Sequence, residues 1–293
     1  MENESVILLS VPSTQTITNS NTHVLINKEY NRRKHNDYDK QIDANWNKRV
    51  SDNPKIFNGT KFRLSSVSLS NDTFTMNLGL TCYKEFLGTN WCKNAKFLAE
   101  DGVRDFQDSQ AYMSDPLGVG TIVLTTDDKV IFLTRSEHCA EAPGLWDVPG
   151  GHPEPQEIVG KIPLEEIKFS DLNEEKVVSE IYDSIMREVV DEVNIPASSL
   201  SRPNFIGVAQ NISAAKRPSS EFIISCSLSS SEVRDLYTKG NQEEAYESTN
   251  IQFVPKKTVL SLTPSHEIWA NLAPSAKGCI MLYKLYSNTA VLK

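Results

Sequence analysis

The chain has 293 residues, of which 39% are apolar and 23% charged, and its formal net charge is −8 at pH 7. This composition is ordinary for a globular protein, and the length allows one large domain or two modest ones. The negative total gives no electrostatic footprint for duplex nucleic acid or anionic lipid, although a local basic pocket is compatible with it, so we expect neither nucleic acid nor membrane partners.

The cysteines and the N-terminus indicate a reducing compartment. No C-x-x-C pair occurs, and the opening residues M-E-N-E-S-V-I-L-L-S-V have the wrong polarity and length for a signal peptide. No apolar run approaches membrane-spanning length. We expect reduced thiols and a cytoplasmic location, with the nucleus as the alternative. The cysteines are Cys82, Cys92, Cys139, Cys226 and Cys279.

The first part of the chain predicts a small mixed domain. Apolar residues at helical spacing predict a helix over 39–50 that the Asn-Pro pair at 53–54 ends. Alternating residues predict a hairpin over 62–69 and 74–80, after a short strand near 5–11. A further helix is expected to close at Gly102. We assign residues 1–112 to this N-terminal domain, which would contribute to a substrate pocket.

The character of the chain changes near Pro116, and we assign residues 113–293 to a catalytic domain. Strands and helices in mixed order predict an α/β (α+β) fold with a mixed sheet. The expected strands are 118–125, 130–134, 145–148, 205–209, 222–228 and 251–254. The expected helices, besides a long one that includes 178–193, are 230–236, 264–272 and 275–286.

The long helix carries three carboxylates beside its apolar stripe. D-L-N-E at 171–174 resembles a capping start, and the stripe recurs at helical spacing through 178, 181, 185, 189 and 193. Glu188, Asp191 and Glu192 fall on one flank of that stripe. Like charges repel unless a cation lies among them, so the flank suits a divalent metal with a phosphoanhydride. A solvated acidic surface is the commoner explanation of three carboxylates alone.

A glycine turn precedes this helix in the sequence G-L-W-D-V-P-G-G-H-P-E-P-Q-E at 144–157. A Pro-Gly-Gly after a strand exposes backbone groups in a tight turn, and by itself it is explained as a turn. The turn and the acidic helix together, in this order, are much rarer by chance. The pair predicts one site for metal and diphosphate.

These two segments resemble the halves of the Nudix box, G-x5-E-x7-R-E-U-x-E-E-x-G-U, where U is a bulky aliphatic residue. Gly151 to Glu157 matches G-x5-E. The sequence R-E-V-V-D-E-V-N-I at 187–195 matches R-E-U-x-E-E-x-G-U. Residues 158–186 occupy the place of seven in the uninterrupted box, so an insertion interrupts it. Asp191 stands where the box has Glu, and Asn194 stands where it has Gly.

Six further segments resemble the atypical, interrupted-box Nudix hydrolases that cleave UDP-glucose and UDP-galactose: F-L-G-T-N-W, D-P-L-G-V-G, A-E-A-P-G-L-x-D-V-P-G-G-H-P-E-P-Q, D-E-V-N, E-S-T and P-S-A-K-G. The resemblance implies a Nudix α/β/α sandwich with an added N-terminal domain. It also implies Mg²⁺-dependent cleavage of a small nucleotide sugar to UMP and sugar 1-phosphate, with Mn²⁺ as the alternative ion.

The resemblance also assigns the catalytic residues. Glu188 and Glu192 match the metal-binding glutamates, and the Gly151 carbonyl is a further ligand candidate. Arg187 and Asp191 complete the catalytic set, and Arg187 is expected to pair with Glu157. The role of general base moves between helix and loops in this family, and it stays open here with Glu247 as one candidate.

The substrate contacts are a second set, each with a plainer explanation. Arg135 could clamp phosphate or be a surface charge, and His152 could be a neutral donor or a solvated turn residue. Ser275 could face an anion or simply cap its helix. The aromatic residues could face uracil or pack in a core. The set is Phe57, Tyr83, Arg135, Ala140, Asp147, His152, Glu154 and Ser275.

The sequence is also compatible with two other functions. A Nudix hydrolase acting on another nucleoside diphosphate derivative, such as ADP-ribose, would use the same metal site. A Nudix-like binding module without catalysis would explain the broken box, although both key glutamates are present. The oligomeric state is not predicted.

Overall fold

The computed structural model describes residues 4–54, 56–139, 141–240, 242–244 and 246–288. The strands among them are β1 (Ser5–Ser10), β2 (Thr22–Ile26), β3 (Thr60–Ser70), β4 (Thr73–Cys82), β5 (Gly118–Leu124), β6 (Lys129–Arg135), β7 (Trp146–Asp147), β8 (Gly150–Gly151), β9 (Asn204–Asn211), β10 (Arg217–Ser225) and β11 (Ser248–Pro255). The α-helices are α1 (Tyr38–Asp52), α2 (Tyr83–Gly88), α3 (Ala95–Phe106), α4 (Gln156–Val159), α5 (Glu174–Val193), α6 (Ser230–Thr238), α7 (Lys256–Ser261), α8 (Glu267–Ala270) and α9 (Pro274–Asn288).

The larger sheet is mixed, as predicted. Its strand order is β1-β9-β10-β5-β6-β11, with β8 paired to β5 and β7 paired to β6. The β10–β5 pair is parallel and the other pairs are antiparallel. A smaller sheet of order β2-β4-β3 combines a parallel and an antiparallel pair.

Helices cover both faces of the larger sheet. Alternate residues of a strand point to opposite faces, so Val119 packs in the core cluster that contains α5, whereas Ile122 packs in the cluster that contains α9. The observed architecture is therefore the expected α/β/α sandwich, with the smaller sheet added. No helix in the described part of the chain is both long and apolar enough to cross a bilayer. The compartment stays a prediction.

Helix α5 lies between the two sheets. Its cap is Asn173, whose side chain accepts a hydrogen bond from the Lys176 N–H at 2.9 Å. The predicted stripe is fully formed: Ile181, Ile185 and Val189 are 0% exposed and pack with residues of both sheets. The stripe therefore holds α5 at a fixed depth, and with it the acidic flank.

The domain boundary at residue 112 stays a prediction, and one strand crosses it. β1 belongs to the predicted N-terminal domain in sequence, yet it pairs with β9 in the larger sheet. The chain then forms the smaller sheet and α1 to α3 before it returns at β5. Tyr182 of α5 exchanges a hydrogen bond of 2.8 Å with Thr22 of β2, so the two parts also share buried polar contacts.

Two helix predictions were wrong in extent. The helix expected to close at Gly102 continues to Phe106, because Gln107 supplies the left-handed cap with φ 58°. The helix expected over 264–272 is only α8, because the backbone beyond it pairs elsewhere: the Trp146 N–H donates to the Asn271 carbonyl at 2.7 Å.

Asn194 ends α5 in the left-handed conformation, with φ 65°. Its side-chain Nδ2 donates to the Leu236 carbonyl at 2.7 Å and so ties α5 to α6. The asparagine thus supplies the conformation that glycine gives in the uninterrupted box and adds a hydrogen bond.

We expect Asn194→Ala to lower the free energy of unfolding by about 2 kcal/mol, because it loses the hydrogen bond and strains the left-handed backbone. Asn194→Gly loses only the hydrogen bond and should cost about 1 kcal/mol. Urea unfolding of the unsubstituted protein and of both variants measures the three free energies of unfolding. Equal stability of the two variants would show that the backbone conformation contributes nothing.

Candidate active site

The glycine turn packs directly against the acidic flank of α5. The Gly150 N–H donates to Oε2 of Glu192 at 3.0 Å. A Cβ at Gly150 would lie 2.2 Å from the Val119 carbonyl oxygen, and a Cβ at Gly151 would lie 2.0 Å from Oε1 of Glu188. Gly150 therefore requires glycine, because backbone occupies the space, whereas a Cβ at Gly151 would displace the Glu188 carboxylate. The two ends of the interrupted segment are adjacent in the fold.

Three glutamates form an acidic cluster below this turn. Ligand oxygens of Glu188, Glu192 and Glu244 lie within 4.8 Å of one another. Glu244 comes from the loop between α6 and β11, and its N–H donates to the Asp191 carbonyl at 3.1 Å. The carboxylate of Asp191 is not part of the cluster that the described residues form. Sequence reasoning missed Glu244 because an acidic loop resembles a solvated one.

Burial and mutual repulsion make the acidic cluster costly to ionise. Burial, followed by the charges of Glu244 and Glu247, raises the pKa of Glu188 to about 8. Burial and Glu247 raise the pKa of Glu244 to about 7. Burial and Glu188 hold the pKa of Glu192 well above its ordinary value. A divalent cation bound by these oxygens would relieve both effects, so the donor set fits a hard metal ion.

A cavity of about 510 Å³ opens beside the turn. It brings together most of the predicted substrate residues, whereas Phe57 is 60% exposed and lies outside it. Glu154 also lies outside the lining and forms an ion pair with Lys61 of β3. Ala140 falls outside the described residues. The predicted residues in the lining are Tyr83, Arg135, Asp147, Gly151, His152, Glu247 and Ser275.

Asp147 is the centre of a polar group on one wall of the cavity. Arg135 donates to it at 3.2 Å and the Ser275 hydroxyl donates to it at 2.7 Å. Burial raises the pKa of Asp147, while the positive charge of Arg135 opposes that shift. The Ser275 hydroxyl is thus oriented by Asp147, and Arg135 keeps Nη2 without a hydrogen bond to any described residue.

Arg217 is a second cation in the cavity, and sequence reasoning missed it. Its guanidinium pairs with Glu141 at 3.0 Å and donates to Nε2 of His152 at 3.0 Å. Burial, followed by Lys61 and Arg217, holds the pKa of His152 well below its ordinary value. Because Nε2 accepts from arginine, the proton of this neutral imidazole resides on Nδ1. The K-R-P sequence at 216–218, where β10 begins, was the feature of the sequence that could have identified Arg217.

No family model matches the chain. It is 48% identical to "Uridine diphosphate glucose pyrophosphatase NUDT22" of Mus musculus over 84% of this chain and 79% of the relative. The Homo sapiens protein of the same name is 46% identical over 84% and 81%. "Nudix hydrolase 9" of Arabidopsis thaliana is 36% identical over 85% and 82%. The chain belongs to the Nudix hydrolase family.

Similarity to solved structures is weaker. A MutT protein from Methanosarcina mazei Go1 aligns over 60% of this chain and 92% of its own, with 15% identity and a TM-score of 0.33. A Nudix hydrolase from Nitrosomonas europaea aligns over 60% and 95%, with 13% identity and a TM-score of 0.35. No conclusion rests on scores this low. Nudix hydrolases generally use divalent metal ions, and the acidic cluster is the matching feature of this member.

The partner of the Nudix-box arginine differs from the prediction. Arg187 forms its ion pair with Glu180, at 2.7 Å, and none with Glu157. The same Glu180 oxygen accepts the Glu154 N–H at 3.0 Å, so one carboxylate joins the glycine loop to α5. Glu180 is 5% exposed and lies in the first turns of α5, within the residues 158–186 that separate the halves of the box. This stretch therefore supplies the carboxylate that connects the two halves.

We expect Glu180→Ala to lower hydrolytic activity by about 10- to 100-fold, because the loop and Arg187 lose their shared anchor. Glu157→Ala is the matched control and should retain activity. Turnover and apparent metal affinity of both variants measure the difference. A greater loss in Glu157→Ala would return the anchoring role to that residue.

The raised pKa values of Glu188 and Glu244 give stability a pH dependence. The folded protein holds these protons at higher pH than the unfolded chain does, so stability falls as pH rises from about 5 to about 8. With a chelator present, we expect the melting temperature to fall over this range and Glu244→Gln to reduce the slope. Glu100→Gln, at an exposed position on α3 outside the acidic cluster, is the control.

Added divalent metal should restore the melting temperature most strongly at the upper end of that range. If the melting temperature depends on pH equally in Glu244→Gln and in the unsubstituted protein, the pKa of Glu244 is not raised in the folded state.

Proposed function

We propose that this Nudix hydrolase cleaves the diphosphate of UDP-glucose and UDP-galactose, with Mg²⁺ or alternatively Mn²⁺, to give UMP and a sugar 1-phosphate. The observation that carries the proposal is the acidic cluster of Glu188, Glu192 and Glu244 beside a cavity lined by two partly buried arginines. The relatives named as uridine diphosphate glucose pyrophosphatases support the choice of substrate.

Glu188, Glu192 and the third carboxylate Glu244 would hold the metal ion, and the carbonyl of Gly151, a residue packed against Glu188, would be a further ligand. When bound, the ion supplies positive charge for the phosphoryl oxygens and activates water for attack on phosphorus. The Gly150 N–H keeps Glu192 oriented towards the glycine turn. Arg187 acts indirectly, by holding Glu180.

The cavity residues would bind and orient the substrate. Nη2 of Arg135 remains for a phosphate oxygen, and the Nδ1–H of His152 is a neutral donor that suits a phosphate or a sugar hydroxyl. Tyr83 contributes an aromatic wall from the N-terminal part of the chain, where a uracil ring can pack.

The general base would come from the loop that carries Glu244 and Glu247. Glu247 lines the cavity, and its charge acts on all three carboxylates of the acidic cluster. Glu247 therefore lies beside both the acidic cluster and the substrate cavity, where a base could accept the proton of the attacking water. Asp191 is a weaker candidate because its side chain lies outside the acidic cluster.

We expect Glu192→Gln to lower release of UMP from UDP-glucose by at least about 100-fold with the fold intact, because it removes a metal ligand. Asp183→Asn, at an exposed position on the same helix, is the control and should retain most turnover. Product assays in ¹⁸O-labelled water with Mg²⁺ also identify the phosphorus that is attacked. Undiminished turnover in Glu192→Gln would contradict the metal assignment.

The substrate choice needs a separate comparison. Turnover of UDP-glucose, UDP-galactose and ADP-ribose at equal concentration should favour the two uridine compounds. A preference for ADP-ribose would keep the hydrolase and change its substrate. Tight binding of UDP-glucose without product would instead indicate a binding module.

A further inference from the structure

A second cavity, the α1–α2 groove, lies between these two helices and the loop after α2. Its volume is about 600 Å³, which is in the range of small-molecule sites. The helices approach closely because residue 88 is glycine: a Cβ there would lie 2.5 Å from Cγ1 of Ile42. Polar, charged and indole side chains line much of the α1–α2 groove: Asn45, Trp46, Lys48, Arg49, Asp52, Lys84, Trp91, Lys93 and Asn94.

The α1–α2 groove is basic in an acidic protein. The chain carries a net charge of −8, yet four cations line this groove against one carboxylate, Asp52. Lys84 pairs with Asp43 at 3.0 Å. Lys48, Arg49 and Lys93 form no ion pair with any described residue. Three cations that face one cavity without partners favour an anionic ligand, and arginine in particular suits phosphate.

Aromatic surface lies beside these cations. Trp46 and Trp91 are both half-buried and line the groove. Phe86 covers one face of Trp91, at a ring separation of 6.2 Å, and Trp46 meets the edge of Tyr83 at 6.4 Å. The side-chain amides of Asn45 and Asn94 make no hydrogen bond with described residues and can pair with the edge of a base. Indole rings with adjacent cations favour a ligand that combines a planar base with phosphate.

We propose that the α1–α2 groove binds a nucleoside phosphate at a site separate from the catalytic cavity. The base stacks against Trp46, and the phosphate lies towards Arg49 and Lys93. The two sites share one wall, because Trp91 lines both cavities. This site involves none of the metal-binding glutamates, and the proposal does not depend on the identity of the hydrolysed substrate.

The test is a calorimetric titration of the full chain with UMP, AMP and inorganic phosphate, in a chelator that prevents turnover. The variant Arg49→Glu/Lys93→Glu should weaken UMP and AMP binding at one site by at least about tenfold, since it removes two charged contacts. Lys40→Glu/Lys96→Glu makes the same change of net charge at exposed positions outside the groove and should bind as the unsubstituted chain does. Arg49→Gln/Lys93→Gln should give an intermediate loss.

Three results would overturn the proposal. If the groove variant binds UMP and AMP as tightly as the control variant does, the groove binds neither nucleotide. Equal affinity for inorganic phosphate would show that the indole rings add nothing. Complete displacement of bound UMP by saturating UDP-glucose would place it in the catalytic cavity. Melting temperatures of all variants confirm that the fold is intact in each comparison.

Discussion

The site depends on the absence of a side chain at Gly150. A Cβ there would lie 2.2 Å from the Val119 carbonyl oxygen, and a Cβ at Gly151 would meet the Glu188 carboxylate. This close approach allows the Gly150 N–H to hold Glu192 at 3.0 Å. The position of the proposed metal-binding carboxylates relative to the cavity is therefore set by a backbone contact.

The same contact concentrates negative charge, which the fold must hold in place. Burial and repulsion raise the pKa values of Glu188 and Glu244, so the acidic cluster destabilises the protein at neutral pH when no cation is present. The adjacent apolar stripe of α5 offsets this cost, because Ile181, Ile185 and Val189 are fully buried between two sheets. Burial of each such side chain contributes about 1.5–3 kcal/mol. The helix is thus anchored by its apolar stripe, and its polar flank is free to serve chemistry.

Local patterns predicted the parts of the site that lie on regular elements. The stripe of α5 follows from a 3.6-residue period, and it fixes the side on which Glu188 and Glu192 point. The contacts that sequence reasoning missed join distant segments. Glu244 comes from a loop after α6, and Arg217 comes from the first residue of β10. No periodicity relates these residues to the turn, so only the packed sheet shows that they meet. Phe57 is 60% exposed and outside the cavity lining, so its contact with substrate stays a prediction.

The interrupted box shows the same difference between separation along the sequence and distance in the fold. Loop closure costs only about 0.6 kcal/mol for each doubling of length, so a longer connection between the turn and the helix is a small penalty. Part of the insertion is not loop at all, because α5 begins at Glu174 and already carries the stripe from Val178. The helical part also provides Glu180, which accepts hydrogen bonds from Arg187 and the Glu154 N–H. The connection is therefore tied to the glycine loop by one buried carboxylate. Spacing along the chain can change while the geometry of turn, helix and metal ligands is retained.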